Sequence, residues 1–307
     1  MTSIRTFMAV VNRKYLNPLK SMWFSLFETN LYEICFYLFY EDLTAEDVQD
    51  LMTFISRWPD KHLVPVKMGM DCVEDLPVTD EFPKEIYYKL LGLDMISDDT
   101  DRVLCMDLDM IVKKDISHVF SVSMGAAGIA ACGDVFGRYY GLDENNLAAL
   151  GLSQTAPYFN AGFMLFYLPF IRQIGGGKAI LRLASQYRKK LHYPEQDILN
   201  MVFHDNYLLL PWEIYNCPPL MYVMKQEEAE SGNLSPLRLS EIFNGEIPDG
   251  YLDYTESIYE NAAVIHYMGG TKPWKEDRKE MPFYGIFDRA YQSTSQSMNE
   301  AEEAVHH

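Results

Sequence analysis

Short apolar runs alternate with helix-patterned segments through the first half of the chain, and this alternation constrains the fold more than any other feature. Strands are predicted at residues 6–11 (TFMAVV), 34–40 (ICFYLFY) and 103–106 (VLCM). Amphipathic helices are predicted at residues 18–29 and after Thr44, which is a helix-capping residue. Strands that alternate with helices are typical of βαβ units and a largely parallel sheet. The predicted fold class is therefore α/β, with a mixed, mostly parallel sheet and flanking helices.

The remaining elements follow the same two patterns. A chain of 307 residues is long enough for one large domain, or for one domain with a smaller lobe. The helix after Thr44 is predicted to bury the face that carries Val48, Leu51, Met52 and Ile55. Further strands are predicted at residues 62–66, 129–132, 163–167 and 263–267, and further helices at residues 83–91, 179–190 and 196–203.

The charge of the chain excludes one class of partner. Asp and Glu number 44 against 26 Lys and Arg, so the formal net charge is −18. Nonspecific binding to nucleic acid or to an anionic membrane surface depends on an excess of Lys and Arg. We therefore expect no nucleic-acid partner. Hydrophobic residues make up 48% of the chain, which excludes wholesale disorder.

No segment is predicted to direct secretion or to cross a membrane. The most apolar stretch, residues 158–171, is shorter than a bilayer span and contains Asn160 and Pro169. The cysteines form no C-x-x-C pair and are expected to be reduced thiols. These features predict a cytoplasmic protein without an integral membrane segment. The five cysteines are Cys35, Cys72, Cys105, Cys132 and Cys217.

Two carboxylates follow the strand predicted at residues 103–106. Asp107 and Asp109 lie in RVLCMDLDMIVKK, and alternation along an extended backbone places them on the same face. In open α/β sheets ligands bind beyond the carboxyl ends of strands, so this pair is placed to hold a hard cation. The competing interpretation is a solvated strand end in an acidic chain.

Polar residues also interrupt the apolar segment YFNAGFMLFYL at residues 158–168. A buried Asn160 needs a hydrogen-bonding partner, which could be a sugar hydroxyl or a neighbouring loop, and Gly162 leaves room for a close approach to the backbone. The segment YPEQDILN at residues 193–200 is a further candidate. Its Pro and acidic residues are equally explained as the residues that ordinarily begin a helix and complement its dipole.

The segment VIHYMGGTKPWK at residues 264–275 carries a third group of candidates. His266 at a strand end could complete a metal site begun by the two Asp, although a lone His is more often structural. Lys272 on a Gly-rich turn could meet phosphate oxygens. The run GGGK at residues 175–178 lacks the spacing of a phosphate-binding loop and is predicted to be a flexible start of a helix.

Taken together and in this order, these segments resemble glycosyltransferase family 8, the retaining enzymes that include lipopolysaccharide glucosyl- and galactosyltransferases and the glycogenins. Family members carry an Asp-x-Asp after an apolar strand, an F-N-A-G strand, a D-Q-D-x-L-N helix start and an H-Y-x-G-x-x-K-P-W turn. This sequence has MDLD, FNAG, EQDILN and HYMGGTKPW. The resemblance implies a GT-A fold, a UDP-glucose or UDP-galactose donor, and Mn²⁺ with Mg²⁺ as the alternative cation.

The resemblance also implies roles for individual residues. Asp107, Asp109 and His266 are expected to be the metal ligands. Asn160, Glu195 and Gln196 are expected at the sugar and the reacting centre, with Gln196 close to the anomeric carbon. The contacts to the rest of the donor are expected from Val10, Asn12, Tyr15, Lys89, Asp107, Leu108, Gly269 and Lys272.

The sequence departs from the family pattern at three of these positions. Asn12 replaces the Asp that meets uracil, and an Asn side chain can both donate and accept. Lys89 replaces an Arg, keeping the charge without the planar fork. Glu195 replaces the first Asp of D-Q-D and carries its carboxylate one methylene further.

The function expected from the resemblance is metal-dependent, retaining transfer of a hexose from a UDP-sugar to a glycan or glycolipid acceptor. A haloacid-dehalogenase-type phosphohydrolase and a nucleotide-sugar binding protein without turnover are the alternatives, and homo-oligomer formation is left open. The domain prediction is a single catalytic domain at residues 1–275, followed by a helical or disordered tail at 276–307. Within the domain, the nucleotide-binding half is expected at about 1–115, the sugar and acceptor half at about 116–275, and a surface excursion at about 221–260.

Overall fold

The computed structural model describes residues 4–69, 87–135, 144–153, 157–187, 190–219, 257–269 and 272–274. Its first half follows the predicted alternation. Thr44 begins the second helix with a capping box, in which its side chain and that of Asp47 each accept a hydrogen bond from the other's backbone N–H. The elements are β1 (Arg5–Val11), α1 (Leu16–Thr29), β2 (Ile34–Tyr40), α2 (Ala45–Ile55), β3 (Lys61–Lys67), α3 (Tyr88–Leu93) and β4 (Arg102–Met106).

The second half contains shorter helices and more varied connections. Its elements are β5 (Met110–Val112), β6 (Ile129–Gly133), α4 (Glu144–Ala149), β7 (Phe159–Tyr167), α5 (Leu168–Gln173), α6 (Gly176–Tyr187), α7 (Pro194–Phe203), β8 (Tyr207–Leu210), α8 (Trp212–Tyr215) and β9 (Val264–His266).

Among the described residues, seven strands form the main sheet in the order β3-β2-β1-β4-β7-β6-β8. The strands β3, β2, β1 and β4 are parallel, and β8 is parallel to β6. β7 runs antiparallel to both of its neighbours, β4 and β6, so it is the one reversed strand among the seven that the structure describes. Antiparallel β5 and β9 form a second, two-stranded sheet. The predicted mixed, mostly parallel sheet is confirmed.

The central strands are buried on both faces. In β1, Phe7 packs into a cluster with Trp23 and Phe36, whereas the next residue, Met8, packs into a second cluster with Tyr88 on the other face. All four of the large side chains Phe7, Trp23, Phe36 and Tyr88 are fully buried. Burial on both faces explains why these strands are continuous apolar runs rather than alternating ones.

Some predicted details differ from the structure. Met52 was expected on the buried face of α2 but is 40% exposed, and Phe54 is buried instead. α6 begins at Gly176, three residues before the predicted start. The strand predicted at 163–167 begins at Phe159, because it pairs with β6 as far as Gly133.

Several predictions fall outside the described residues. These are the tail at 276–307, nearly all of the surface excursion at 221–260, the first part of the helix predicted at 83–91, and Cys72. The four described cysteines, Cys35, Cys105, Cys132 and Cys217, are free thiols. Within the described ranges, every helix is too short or too polar to span a bilayer.

Candidate active site

Asp107, Asp109 and His266 converge at the junction of the two sheets. β4 ends just before Asp107, and β5 begins just after Asp109. β9 ends at His266, which lies opposite Met110 in the β5–β9 register, and the N–H of Tyr267 donates to the carbonyl of Asp109 at 2.9 Å. The pairing of β5 with β9 therefore brings the imidazole to the two carboxylates.

The distances within this group suit a shared cation. Nε2 of His266 lies 3.2 Å from Oδ1 of Asp109 and 3.7 Å from Oδ2 of Asp107. One ligand atom from each of the three residues lies within 4.8 Å of the others. The predicted route to this arrangement was wrong, because Leu108 and Asp109 form a turn and not an extended strand. The turn directs both carboxylates to the same point.

Two lysines flank the carboxylates. Nζ of Lys89 donates to Oδ1 of Asp107 at 2.7 Å. Nζ of Lys272 donates to Oδ2 of Asp109 and, at 3.0 Å, to the carbonyl of Tyr267. Burial alone raises the pKa of Asp109, but the Lys272 ammonium and then the His266 ring outweigh it and lower that pKa below its usual range. Asp109 is therefore an ionised, buried carboxylate.

Lys89 also contacts Glu195, so two of the three departures from the family pattern form one ion pair. Nζ of Lys89 lies 3.3 Å from Oε2 of Glu195. Burial lowers the pKa of Lys89, but Asp107 and Glu195 more than offset it and hold that pKa well above its usual value. Burial raises the pKa of Glu195 to about 7. The Lys89 ammonium opposes this rise, and the Asp107 carboxylate reinforces it. Oε1 of Glu195 is buried and has no hydrogen-bond partner among the described residues.

Gln196 is held against the backbone of β7. Its Oε1 accepts from Nδ2 of Asn160 at 3.1 Å and from the N–H of Ala161 at 2.9 Å. Its Nε2 donates to Oδ2 of Asp134 at 2.8 Å. Asn200, one turn later in α7, binds both the N–H and the carbonyl of Phe159 at 2.8 Å. These bonds fix the first turn of α7 against β7.

Asn160 and Asn216 continue this network to the group formed by Asp107, Asp109 and His266. Oδ1 of Asn160 accepts from the N–H of Gly162 at 2.9 Å and from Nδ2 of Asn216 at 3.2 Å. Oδ1 of Asn216 lies 2.7 Å from Nδ1 of His266. An ideal Cβ on Gly162 would lie 2.3 Å from Cε1 of His266, so the glycine leaves the space that the ring occupies.

The residues expected to bind the nucleotide include Val10, Asn12 and Tyr15, which lie in β1 and just after it. Asn12 follows β1, and its buried Oδ1 has no hydrogen-bond partner within the part of the chain that the structure describes. Tyr15 ends a short 3₁₀ helix, and its ring meets that of Trp274 edge-on at 5.7 Å. Nζ of Lys272 lies 6.0 Å from the Trp274 ring. Val10 lies in β1, opposite Phe39.

Leu108, Gly269 and the GGGK run at residues 175–178 are the other segments that the sequence singled out. Leu108 is 9% exposed between the two Asp, and Gly269 has a φ of 79°. The GGGK run begins α6, and the N–H groups of Gly177 and Lys178 donate to the carboxylate of Asp94 at 2.6 and 3.0 Å. These two N–H groups therefore donate to a carboxylate of the chain itself and not to a phosphate.

Sequence reasoning missed Asp134 and Asn216. Asp134 comes directly after β6, so the rule that singled out Asp107 at a strand end also applies to it. Asn216 is 1% exposed and follows the apolar stretch of α8, where a buried amide without an obvious local partner was the available signal.

Comparison with known proteins identifies the family. A sequence model of the family described as "Glycosyl transferase family 8" matches residues 6–278. A lipopolysaccharide 1,2-glucosyltransferase of Escherichia coli is 27% identical over 239 residues, covering 74% of this chain and 61% of that protein. A lipopolysaccharide 1,3-galactosyltransferase of Salmonella typhimurium is 23% identical over 248 residues, covering 78% of this chain and 64% of that protein. The chain thus spans less than two thirds of these curated relatives.

A solved structure shares the fold over nearly the whole chain. The crystal structure of the galactosyltransferase LgtC in complex with donor and acceptor sugar analogues superposes with a TM-score of 0.71 at 21% identity. The match covers 94% of this chain and 95% of the LgtC chain. The expected GT-A fold is confirmed.

Proposed function

The chain belongs to glycosyl transferase family 8, and from this premise we propose that it transfers glucose or galactose from a UDP-sugar to a hydroxyl of a glycan or glycolipid, with retention of configuration. The observation that carries the proposal is the convergence of Asp107, Asp109 and His266 between two lysines. The named activities of the lipopolysaccharide transferases among its relatives support a saccharide or glycolipid acceptor. A cytoplasmic location and the oligomeric state stay predictions.

The donor set fits a divalent cation. Two carboxylate oxygens and one imidazole nitrogen are compatible with Mn²⁺, and Mg²⁺ is the alternative. Asp109 and His266 are 8% and 3% exposed, whereas the side chain of Asp107 is 31% exposed and is the most accessible of the three. A divalent cation bound there offsets the negative charge that develops on a departing diphosphate.

The two lysines supply positive charge from the chain itself. In a protein of net charge −18, a diphosphate needs a locally positive pocket. We assign Lys272 to the diphosphate and Lys89 to the sugar end, where it contacts Glu195. Oε1 of Glu195 and Oδ1 of Asn12 have no hydrogen-bond partner among the residues that the structure describes. The first is a candidate acceptor for a donor hydroxyl, and the second for an N–H of uracil.

Gln196 is assigned an orienting role. Its Oε1 already receives two N–H donors, one of them from the backbone, so its lone pairs are directed at β7. This favours attack by the acceptor hydroxyl from the side of the leaving group over attack by Gln196. The new bond joins the acceptor oxygen to the anomeric carbon, the bond from that carbon to the diphosphate oxygen breaks, and the acceptor proton passes to the diphosphate.

Turnover of UDP-glucose and UDP-galactose with Mn²⁺ tests the proposal. UDP release and saccharide transfer are measured for the full chain, for Asp109→Asn and for Asp98→Asn, the last being a fully exposed carboxylate. We expect Asp109→Asn to abolish metal-dependent donor binding and turnover, and Asp98→Asn to keep both. Unchanged turnover in Asp109→Asn overturns the proposal.

The same preparation separates the alternatives. Hydrolysis of simple phosphoesters that survives His266→Ala favours the phosphohydrolase. Donor binding by calorimetry, with neither transfer nor slow donor hydrolysis over a broad acceptor panel, favours a binding protein. The convergence of His266 with the two Asp supports the transferase over the phosphohydrolase.

A further inference from the structure

Asn216 is buried beside the group formed by Asp107, Asp109 and His266. It follows α8, is 1% exposed, and its side-chain amide lies between two buried groups. Oδ1 of Asn216 lies 2.7 Å from Nδ1 of His266, and its Nδ2 lies 3.2 Å from Oδ1 of Asn160. The other imidazole nitrogen, Nε2, faces Asp107 and Asp109.

Backbone amides determine which way each side-chain amide points. The N–H of Gly162 can only donate, so the Asn160 atom that lies 2.9 Å from it is the carbonyl oxygen. The Asn216 atom that faces this oxygen must in turn be its NH₂ group. Asn216 therefore presents its carbonyl oxygen to His266, and because that oxygen can only accept, Nδ1 of His266 carries the hydrogen.

A second backbone amide leads to the same orientation. The N–H of Ala161 donates to Gln196 at 2.9 Å, so the Gln196 atom in that position is Oε1. Oε1 also lies 3.1 Å from the Asn160 amide, which must therefore turn its NH₂ group toward Gln196. Two adjacent N–H groups of β7 thus independently set the orientation of Asn160.

We propose that Asn216 is a positioning residue that holds His266 as the Nδ1–H tautomer, leaving the Nε2 lone pair directed at the two carboxylates. In the opposite tautomer an N–H at Nε2 points at the cation position, and His266 is no longer a ligand. The proposal rests on the proposed function in placing a divalent cation at Asp107, Asp109 and His266. Loss of such a supporting partner weakens metal binding by about 10- to 100-fold.

Calorimetry with Mn²⁺ alone tests the role in the full chain. Asn216→Leu keeps a similar volume and removes the acceptor, and we expect 10- to 100-fold weaker Mn²⁺ binding. Asn216→Asp keeps an acceptor for Nδ1–H while losing the donation to Asn160, and we expect affinity within about threefold of the original or tighter. Equal losses in the two variants overturn the proposal.

A double-variant cycle shows whether Asn216 acts through His266. In a His266→Ala background, Asn216→Leu is expected to weaken Mn²⁺ binding by less than about twofold. A further tenfold loss in that background overturns the proposal. Thermal denaturation of each variant shows that the comparison is made between folded proteins.

The tautomer can be observed without any metal or donor. In protein labelled with ¹⁵N-histidine, long-range ¹H–¹⁵N spectra at alkaline pH report which ring nitrogen is protonated, and the His266→Gln variant assigns the signals. We expect Nδ1–H in the original protein and a mixture, or Nε2–H, in Asn216→Leu. Finding Nε2–H in the original protein overturns the inference. A confirmed tautomer without Mn²⁺ binding would instead count against the proposed function.

Discussion

Gly162 lies under the His266 ring, and its missing side chain leaves the space that the ring fills. An added Cβ would lie 2.3 Å from Cε1 and 2.8 Å from Nδ1 of His266. Because β7 is paired on both sides and His266 is 3% exposed, we expect Gly162→Ala to displace the imidazole and weaken Mn²⁺ binding at least about tenfold. Calorimetry measures this.

Gly133 provides a matched control in the neighbouring strand. It pairs with Phe159 at the end of β6, and an added Cβ there would have no heavy atom of a described residue within 4 Å. Gly133→Ala is therefore expected to leave the Mn²⁺ affinity unchanged. If Gly162→Ala also binds Mn²⁺ with the original affinity, the added Cβ does not displace the His266 imidazole from its position, and the expected role of Gly162 is wrong.

The two departures that meet in one ion pair are expected to compensate for each other. Lys89 has lost the guanidinium fork, whereas Glu195 reaches one methylene further, and their charged atoms are 3.3 Å apart. Lys89→Arg and Glu195→Asp should each lower the rate of UDP-sugar turnover several-fold, and the double variant should recover most of it. Additive losses in the double variant would show that the two positions are not coupled.

Glu195 should make stability depend on pH in the metal-free protein. Burial raises its pKa from 4.5 to about 7, so the folded state binds this proton more tightly than the unfolded state. The contribution of the carboxyl to the free energy of unfolding is complete below pH 4.5 and is lost as the pH rises to about 7.

Glu195→Gln removes this titration. Relative to the original protein, the variant should gain on the order of 3 kcal/mol of unfolding free energy as the pH rises across that window. Urea denaturation at a series of pH values measures the difference. A difference that stays constant with pH would contradict the raised pKa.

The individual site residues were only partly predictable. Asp107, Asp109 and His266 stand at strand ends, so the strand pattern made them candidates, and the family resemblance singled them out as expected metal ligands. Asn216 was missed because its importance comes from hydrogen bonds to residues that are 50 and 56 positions away in the chain. No local pattern records such a contact.

At the scale of elements, α6 shows how a glycine run can serve a helix instead of a ligand. Gly177 packs so closely on α3 that an added Cβ would lie 1.7 Å from the carbonyl oxygen of Leu90. The N–H groups of the first turn of α6 have no acceptor within the helix, and those of Gly177 and Lys178 donate to Asp94 instead. Asp94→Ala should therefore lower the free energy of unfolding by about 1 kcal/mol, as for loss of a helix cap.

Asp98→Ala is the control for this effect. The Asp98 carboxylate is fully exposed and lies 3.6 Å from Arg172, so its loss should change the stability by less than about 0.5 kcal/mol. Chemical denaturation compares the two variants, and Mn²⁺ affinity should be unchanged in both. Equal stabilities would mean that Asp94 does not hold the start of α6.

Element positions were predicted well where local chemistry decides them. β2 was placed at its observed bounds, because a buried parallel strand is a continuous apolar run, and the capping residue Thr44 marked the start of α2. The antiparallel direction of β7 could not be read, because it depends on which strands it lies between. The turn at Leu108 and Asp109 was missed because β5 is only three residues long and pairs with β9, about 150 positions away.

At the scale of the whole molecule, the part of the candidate site assigned to the cation, the diphosphate and the nucleotide base draws on three distant parts of the chain. Asn12 and Tyr15 follow β1, Asp109 follows β4, and His266 and Lys272 lie at the end of β9 and beyond it. Only the folded chain brings them together, so a ligand that contacts all three parts binds the folded state alone and stabilises it. The net charge of −18 opposes an anionic ligand unless a cation accompanies it.

Mn²⁺ and UDP should therefore stabilise the protein more together than the sum of their separate effects. At a hundredfold excess over the dissociation constant, a ligand adds about 2.7 kcal/mol, which corresponds to a rise in Tm of about 5 °C for a chain of this size. UDP with a chelator should raise the Tm by less than about 1 °C, because Lys89 and Lys272 are then engaged by Asp107 and Asp109 and are not released to the phosphates. Differential scanning fluorimetry measures all four conditions, and in Asp109→Asn the combined shift should fall to that of UDP alone. A full UDP shift in the presence of the chelator would mean that Lys89 and Lys272 neutralise the diphosphate unaided, and that the cation has no part in holding the donor.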